Sequence, residues 1–180
     1  MVRAVVDGNR YMVLGTCGLD GLPRVSPVYF THDRYHAFYW VSSPTAQHSR
    51  NVGVHPDVAI VVFDSSVVPG STQAVYVQGV AELIPDAALE EHCAVAFRNV
   101  GEGAHPFRAE ELSGSAPLRL YRATAREVEV HIRGSDRTYG QGVDTRLRVR
   151  MPAGDFTTTI ESGPTSGSTY LSRKADVDHA

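Results

Sequence analysis

The sequence predicts a mainly β protein, a small barrel of six or seven antiparallel strands with helical covers. Short β-favouring apolar runs recur along the first two-thirds of the chain, turn residues separate them, and only two segments read as helices. The chain has 180 residues, of which 42% are hydrophobic and 21% are charged. These values fit one globular domain with a core of ordinary size.

The first three strands form a predicted antiparallel meander. An apolar run from Tyr11 to Cys17 ends at the turn sequence Gly18-Leu19-Asp20-Gly21. The second strand runs from Leu22 to Phe30, and Pro27 restricts it to a sheet edge or a bulge, because proline has no N–H to donate to a neighbour. The third strand, Tyr35 to Val41, is rich in aromatic residues, which favour strands.

Four more strands follow later in the chain. Asp57 to Asp64 contains the run VAIVVF, which predicts a strand buried on both faces. Gln73 to Ile84 is longer, and Gly79 within it predicts a bulge or bend. Leu118 to Ile132 ends in the alternating sequence VEVHI, and Asp144 to Met151 places arginines on one face.

The clearer of the two predicted helices spans Pro85 to Val100. Proline stands near its start, acidic residues lie early and Arg98 lies late, in the order that the helix dipole favours. Its predicted buried stripe consists of Leu89, Cys93, Ala96 and Phe97.

Composition divides the chain and excludes several classes of function. We expect a folded domain over residues 1–152 and a flexible polar tail over residues 153–180, where Ser and Thr are abundant and apolar periodicity is lost. A net charge of −3 and the absence of membrane-length or signal-type apolar runs predict a cytoplasmic protein that binds neither nucleic acid nor membrane. Two cysteines at unrelated positions predict no metal site. The single lysine, Lys174, lies in the tail and argues against a lysine Schiff base.

The stretch SSPTAQHSRNVGVHP, residues 42–56, is dense in hydrogen-bond donors at a predicted helix start. Ser43 is a candidate N-cap and Pro44 a candidate first helical residue. A helix start offers unpaired N–H groups and a positive dipole end, which suit a phosphate. A capped surface helix with a solvated face is the alternative. The further donors of the stretch are Ser42, Thr45, Gln47, His48 and Arg50.

Five stretches in order resemble the pyridoxamine 5′-phosphate oxidase-like family of FMN-binding split barrels. They are RVSPVYF, AFYWVSSPTAQHSRNV, HPDVAIVVFDSS, AVYVQGVAEL and RLYRATAREVEV. The resemblance covers roughly residues 10 to 151. It implies a split β-barrel that forms a homodimer, with a cofactor at the subunit interface.

The resemblance also assigns roles to particular residues. Ser42, Ser43, His48 and Arg50 would hold the FMN phosphate, with Arg24 as a further candidate. Backbone groups of residues 25–28 would meet the flavin ring, and Gln73 would reach it from the partner subunit. Trp40 is either a ring-stacking residue or a core aromatic, and Asn51 either binds or braces the turn. The candidate cofactor-binding residues are Arg24, Val25, Ser26, Pro27, Val28, Trp40, Ser42, Ser43, Gln47, His48, Arg50, Asn51 and Gln73.

The implied function is that of an FMN-dependent oxidoreductase acting on a small molecule or a reduced nicotinamide by hydride transfer. Alternatives on the same scaffold are a non-catalytic flavin- or haem-binding carrier or sensor and a deazaflavin-dependent reductase. Gln47-His48 stands where the true oxidases carry a basic pair, and Arg146 and Arg148 are the nearest counterparts of their substrate-binding pair. No catalytic acid or base can be named, which fits chemistry that a flavin performs.

Overall fold

The computed structural model describes residues 1–150 and the backbone of residues 159–160, and most of its elements are strands. Two short 3₁₀ helices, Asp86–Ala88 and Ala109–Glu111, flank the third α-helix and the loop after it. The other elements are α1 (Val2–Asp7), β1 (Tyr11–Cys17), β2 (Pro23–Tyr29), β3 (Thr31–Asp33), β4 (Ala37–Ser42), α2 (Gln47–Val54), β5 (Asp57–Phe63), β6 (Ala74–Leu83), α3 (Leu89–Ala96), β7 (Arg119–Ile132), β8 (Thr145–Arg150) and β9 (Thr159–Ile160).

All strand pairs are antiparallel and join in one curled sheet of order β2-β1-β5-β6-β7-β4-β3. β8 pairs with β7, and β9 pairs with β8. The predicted mainly β, antiparallel split barrel with few helices is confirmed. The sheet order also places β2 at an edge, as Pro27 predicted.

The core has two parts, one inside the barrel and one under α3. The barrel core contains Phe38 and Trp40 of β4, whereas the neighbouring Tyr39 points to the other side and packs on α3. Alternate residues of a strand face opposite sides of its sheet, which explains the division. On α3, three residues of the predicted stripe are buried, namely Leu89, Cys93 and Ala96.

Strand β5 differs from its prediction. Val58, Ile60 and Val62 are buried, but Ala59 and Phe63 are exposed, so the strand is buried on one face only. The prediction was wrong because no element among residues 1–150 covers the outer side of β5 and of its neighbour β1, and on β6 the ring of Tyr76 is covered by Arg146 alone. We call this outer side, with Val13, Val25, Ala59, Val61 and Tyr76, the open face.

The bulge predicted at Gly79 is confirmed, because the register between β6 and β7 shifts between Gln78 and Gly79. The predicted helix over Pro85–Val100 is shorter in the structure, since a 3₁₀ turn precedes α3 and the helix ends at Ala96. The predicted tail, residues 153–180, lies outside the described residues except for the backbone of β9. Within the described part of the chain, the helices are too short or too polar to cross a membrane.

Candidate functional site

Three side chains from three elements meet where β2 and β4 lie beside the start of α2. The Ser42 hydroxyl is 2.8 Å from His48 Nε2, and His48 Nδ1 is 3.3 Å from the Ser26 hydroxyl. Partial burial lowers the pKa of His48, so its imidazole is neutral at pH 7. A neutral imidazole has one nitrogen that donates and one that accepts. One serine hydroxyl therefore accepts from His48, and the other donates to it. We call Ser26, Ser42 and His48 the cradle.

Helix α2 begins later than the sequence predicted. Its N-cap is Ala46, not Ser43, and no side chain caps it. Ser43 instead closes a turn ahead of the helix, because its hydroxyl accepts the N–H of Thr45 at 3.2 Å and its carbonyl accepts the N–H of Ala46 at 3.0 Å. The N–H groups of the first helical turn are thus left without a side-chain acceptor.

A buried hydroxyl lies in this same first turn of α2. Ser49 is 5% exposed, and its Oγ has no hydrogen-bond partner among the described residues. An unpaired buried polar group is unfavourable, and such groups are uncommon in folded proteins. The helix start therefore combines uncapped N–H groups with an unsatisfied hydroxyl.

Arg50 spans the turn before the helix. Its Nη1 donates to the carbonyl of Thr45, and its Nη2 donates to Gln47 Oε1 at 2.9 Å. The guanidinium thus holds the turn in place and brings a positive charge to the helix start. It has this bracing role in addition to the phosphate-binding role that the resemblance implies.

Asn51 anchors α2 to the barrel. The residue is only 1% exposed. Its Nδ2 donates to Thr16 Oγ1 at 3.0 Å, and its Oδ1 accepts from Gln47 Nε2 at 2.7 Å. Asn51 therefore braces the site from inside, which is one of the two roles that the sequence left open.

The predicted β2 residues are distributed over both faces of that strand. Ser26 joins the cradle and Val28 is buried in the barrel core, whereas Val25 is 73% exposed on the open face. Arg24 pairs with Asp20 at 3.3 Å, and both side chains are about half exposed. The guanidinium of Arg24 is thus held across the β1–β2 turn, outside the hydrogen bonds of the cradle.

Two other candidates lie apart from the cradle's hydrogen bonds. Trp40 is 2% exposed and stacks on Tyr121 with ring centroids 5.6 Å apart, as expected of a core aromatic. Gln73 is exposed and directly precedes β6. Within residues 1–150 no described hydrogen bond joins Gln73 to the cradle, so a role toward a partner subunit stays a prediction.

Two further residues contribute near the site and are absent from the candidates drawn from the sequence. Thr16 holds Asn51, and Asp20 orders the β1–β2 turn. Asp20 accepts the N–H of Leu22 at 3.0 Å in addition to its pairing with Arg24. An Asp in a glycine-flanked turn is a known sequence signal for such a bond. No sequence signal marks Thr16, whose partner Asn51 is distant along the chain. Among the described residues, no cluster of His, Cys, Asp and Glu could hold a metal ion.

Structural comparison finds the same fold in proteins with different cofactors in their names. A heme-binding protein from Mycobacterium smegmatis aligns with a TM-score of 0.59 and 19% identity, over 81% of this chain and 55% of that protein. An FAD-binding protein from Mesorhizobium loti aligns with a TM-score of 0.54 and 22% identity, over 70% of this chain and 88% of that protein. An F420 reductase aligns with a TM-score of 0.50 and 21% identity, over 70% of this chain and 94% of that protein. At these identities the likeness concerns the fold.

Sequence comparison gives the family. No curated protein matches the chain. The family model described as pyridoxamine 5′-phosphate oxidase, however, matches residues 1–132, which include β1 to β7, α2 and the whole cradle. The chain therefore belongs to the pyridoxamine 5′-phosphate oxidase family.

Proposed function

We propose that the protein is an FMN-dependent oxidoreductase that binds the FMN phosphate at the cradle and the start of α2. The observation that carries the proposal is the hydrogen-bonded chain Ser26–His48–Ser42, which lies next to an uncapped helix start and the edge strand β2. Hydroxyls, imidazole and helix N–H groups are donors that suit a phosphate. Flavin-type cofactors also agree with the names of proteins that share the fold.

The donor set fits a phosphate in both number and charge. Ser49 Oγ has no hydrogen-bond partner among the described residues, and a rotation of its side chain toward the helix start would make it a further donor to a phosphate oxygen. Arg50 supplies the positive charge beside the helix start. The neutral His48 would position the donors: its single N–H goes to one serine, and the hydroxyl hydrogen of that serine stays available for a phosphate oxygen.

The chain's own part in the reaction would be to bind and orient. FMN, when bound, supplies hydride transfer to or from a reduced nicotinamide or another small molecule. Strand β2 is an edge strand, so its outer backbone groups are free to meet a flat ring within hydrogen-bond distance. The cradle would fix the position of the ring by holding the phosphate end.

A comparison of FMN with riboflavin tests the phosphate site. We expect Arg50→Ala to weaken FMN binding by roughly ten- to a hundredfold, because a charge-assisted hydrogen bond is lost. His48→Ala should cost less at pH 7, since burial keeps the imidazole neutral. Riboflavin lacks the phosphate, so it should bind weakly to the unchanged protein and respond little to either change. Fluorescence titration of the flavin-free protein measures all of these affinities.

Arg50 also braces the turn before α2, and the riboflavin titration separates this bracing role from phosphate binding. A loss of FMN and riboflavin affinity in equal measure would indicate a disordered turn and not a lost phosphate contact. Unchanged FMN affinity in both variants would refute the phosphate site. A Soret band in the purified protein, or preferential binding of a deazaflavin, would favour the corresponding alternative.

We also propose that the active form is a homodimer joined through the open face, with the cofactor at the interface. The open face includes exposed Val25 and Ala59 beside half-buried Val61 and Tyr76, around a cavity of about 240 Å³. Contiguous apolar surface of this kind is typical of protein interfaces. Arg146 borders the cavity, where it lies 3.7 Å from the centre of the Tyr76 ring and pairs with Glu129. Glu127 also borders the cavity and pairs with Arg148.

Sedimentation tests the dimer. We expect the unchanged protein to be dimeric at micromolar concentration and Val61→Asp to be monomeric, because the new carboxylate would be buried without a partner. Val68→Asp is the matched control, since Val68 is 68% exposed in the loop between β5 and β6. A stable monomer of the unchanged protein, or a dimer that tolerates Val61→Asp, would contradict the proposal.

A further inference from the structure

A second concave region is formed by the same two strands, on the side to which Tyr29, Tyr39 and Val41 point and opposite to that of Ser26 and Ser42. It is a cavity of about 410 Å³, within the size range of small-molecule sites. On β4 the cavity includes Trp40 and Val41, which directly precede Ser42 of the cradle. On β2 it includes Tyr29, which follows Ser26 along the strand. We call this region the aromatic cavity.

Six of the fourteen residues that line the cavity are Tyr, Trp or Phe. Tyr11 and Tyr29 pack edge to face with ring centroids 6.1 Å apart, and Phe97 and Phe107 lie 5.7 Å apart across the loop that follows α3. Tyrosine and phenylalanine faces and edges interact favourably with other flat rings. The aromatic residues of the wall are Tyr11, Tyr29, Tyr39, Trp40, Phe97 and Phe107.

The polar groups of the cavity are arranged to favour a negative charge near Arg10. The Nη1 of Arg10 donates to the carbonyl of Glu102 at 3.0 Å, which fixes the guanidinium at the cavity. The Tyr29 hydroxyl accepts the N–H of Gly101 at 3.1 Å, so its own hydrogen remains to be donated. Glu102 is the acidic residue of the lining, and it gives its main-chain carbonyl to Arg10.

We propose that the aromatic cavity binds a planar aromatic carboxylate, with its ring against the aromatic wall and its carboxylate at Arg10. The guanidinium matches a carboxylate in shape and charge, and the tyrosine hydroxyl adds a second donor. Binding of such a carboxylate follows from the residues of the aromatic cavity and does not depend on a bound flavin. Its further role, as the site of the molecule that reacts with the flavin, rests on the proposed function.

The test uses 2-naphthoate as the probe and the full chain as the protein. Trp40 is the only tryptophan of the sequence and lines the cavity, so its fluorescence reports binding there. Titrations by fluorescence and calorimetry are made with flavin-free protein, and by calorimetry again with saturating FMN. We expect saturable binding of 2-naphthoate under both conditions. The neutral analogue 2-naphthalenemethanol should bind at least about tenfold more weakly, because it lacks the charge that Arg10 meets.

Two variants of lining residues and one control variant test how charge at the cavity affects binding. Arg10→Gln should weaken 2-naphthoate binding about tenfold and leave 2-naphthalenemethanol unchanged. Glu102→Gln should bind 2-naphthoate as tightly as the unchanged protein or more tightly, since a negative charge is removed. Arg126→Gln is the control, because Arg126 is exposed and pairs with Asp57 away from the cavity. Arg126→Gln should leave the affinities for 2-naphthoate and 2-naphthalenemethanol unchanged.

The outcomes separate this inference from the proposed function. Binding of 2-naphthoate by a protein that fails to bind FMN supports the cavity and refutes the flavin role. Binding of FMN without any binding of 2-naphthoate overturns the cavity proposal and leaves the phosphate site intact. Equal affinity for the acid and the alcohol, or equal effects of Arg10→Gln and Arg126→Gln, also overturns it.

Discussion

Gly79→Ala is expected to lower the free energy of unfolding by about 3 kcal/mol. A Cβ at residue 79 would lie 2.5 Å from the carbonyl oxygen of Thr124 and 3.2 Å from its carbon. Both atoms belong to the backbone of β7, so no side chain can turn aside. The β6–β7 pair must separate at the bulge, where it links the two halves of the sheet. Urea denaturation of the variant and of the unchanged protein measures the difference.

Gly53→Ala is the matched control. Gly53 lies in α2, is exposed, and has no atom within 4 Å of an added Cβ. Alanine there should raise the free energy of unfolding by about 0.5 to 1 kcal/mol, because it restricts the unfolded chain and favours the helix. If Gly79→Ala were as stable as the unchanged protein, the tight approach of β6 and β7 would be wrong.

Asn51→Leu is expected to cost about 2 to 3 kcal/mol of unfolding free energy. The change leaves the buried hydroxyl of Thr16 without its partner and frees Gln47 from the amide that holds it. Since the anchored helix carries His48, the variant should also bind FMN more weakly. Denaturation and flavin titration of the same sample measure the two effects.

The double variant Thr16→Val with Asn51→Leu separates a lost hydrogen bond from a change in packing. When both polar partners become apolar, no buried group is left unpaired, so the double variant should recover part of the stability lost by Asn51→Leu. Gln47→Ala should cost less than 1 kcal/mol, because its side chain is partly exposed. A double variant that is less stable than the sum of its single changes would contradict the pairing.

Local sequence signals predicted the seven longer strands, but the predicted meander was wrong in one pairing, because β4 lies between β3 and β7 and not beside β2. The bounds of β1 agree with the apolar run Tyr11–Cys17, and Gly79 in β6 marks the bulge. Period-two alternation and glycine act over a few residues, so they can be read without the rest of the chain. The resemblance assigns Ser42 and His48 to the phosphate and the backbone of Ser26 to the flavin ring, and these binding roles stay predictions.

The features that the sequence did not predict depend on distant contacts. The turn at Arg34 and Tyr35 has positive φ angles of 46° and 58° without glycine or asparagine. Its geometry is supported by Asp7 of α1, which accepts from the Tyr35 hydroxyl at 2.8 Å. The start of α2 shifted because Ser43 binds Thr45 within a turn instead of capping the helix. In each case a tertiary or competing local bond overrides the propensity.

The edge position of β2 also bears on aggregation. An edge strand that can meet the proposed cofactor can also pair with a strand of a neighbouring molecule, and exposed edges of this kind lead to polymerisation. Pro23 and Pro27 have no N–H, and prolines in strands place that missing donor on the solvent side. Val25, midway between them, keeps its N–H on the same side. A growing sheet needs a row of such donors, whereas a ligand can be held by one, so this pattern of prolines opposes fibril growth and leaves one donor for the proposed cofactor.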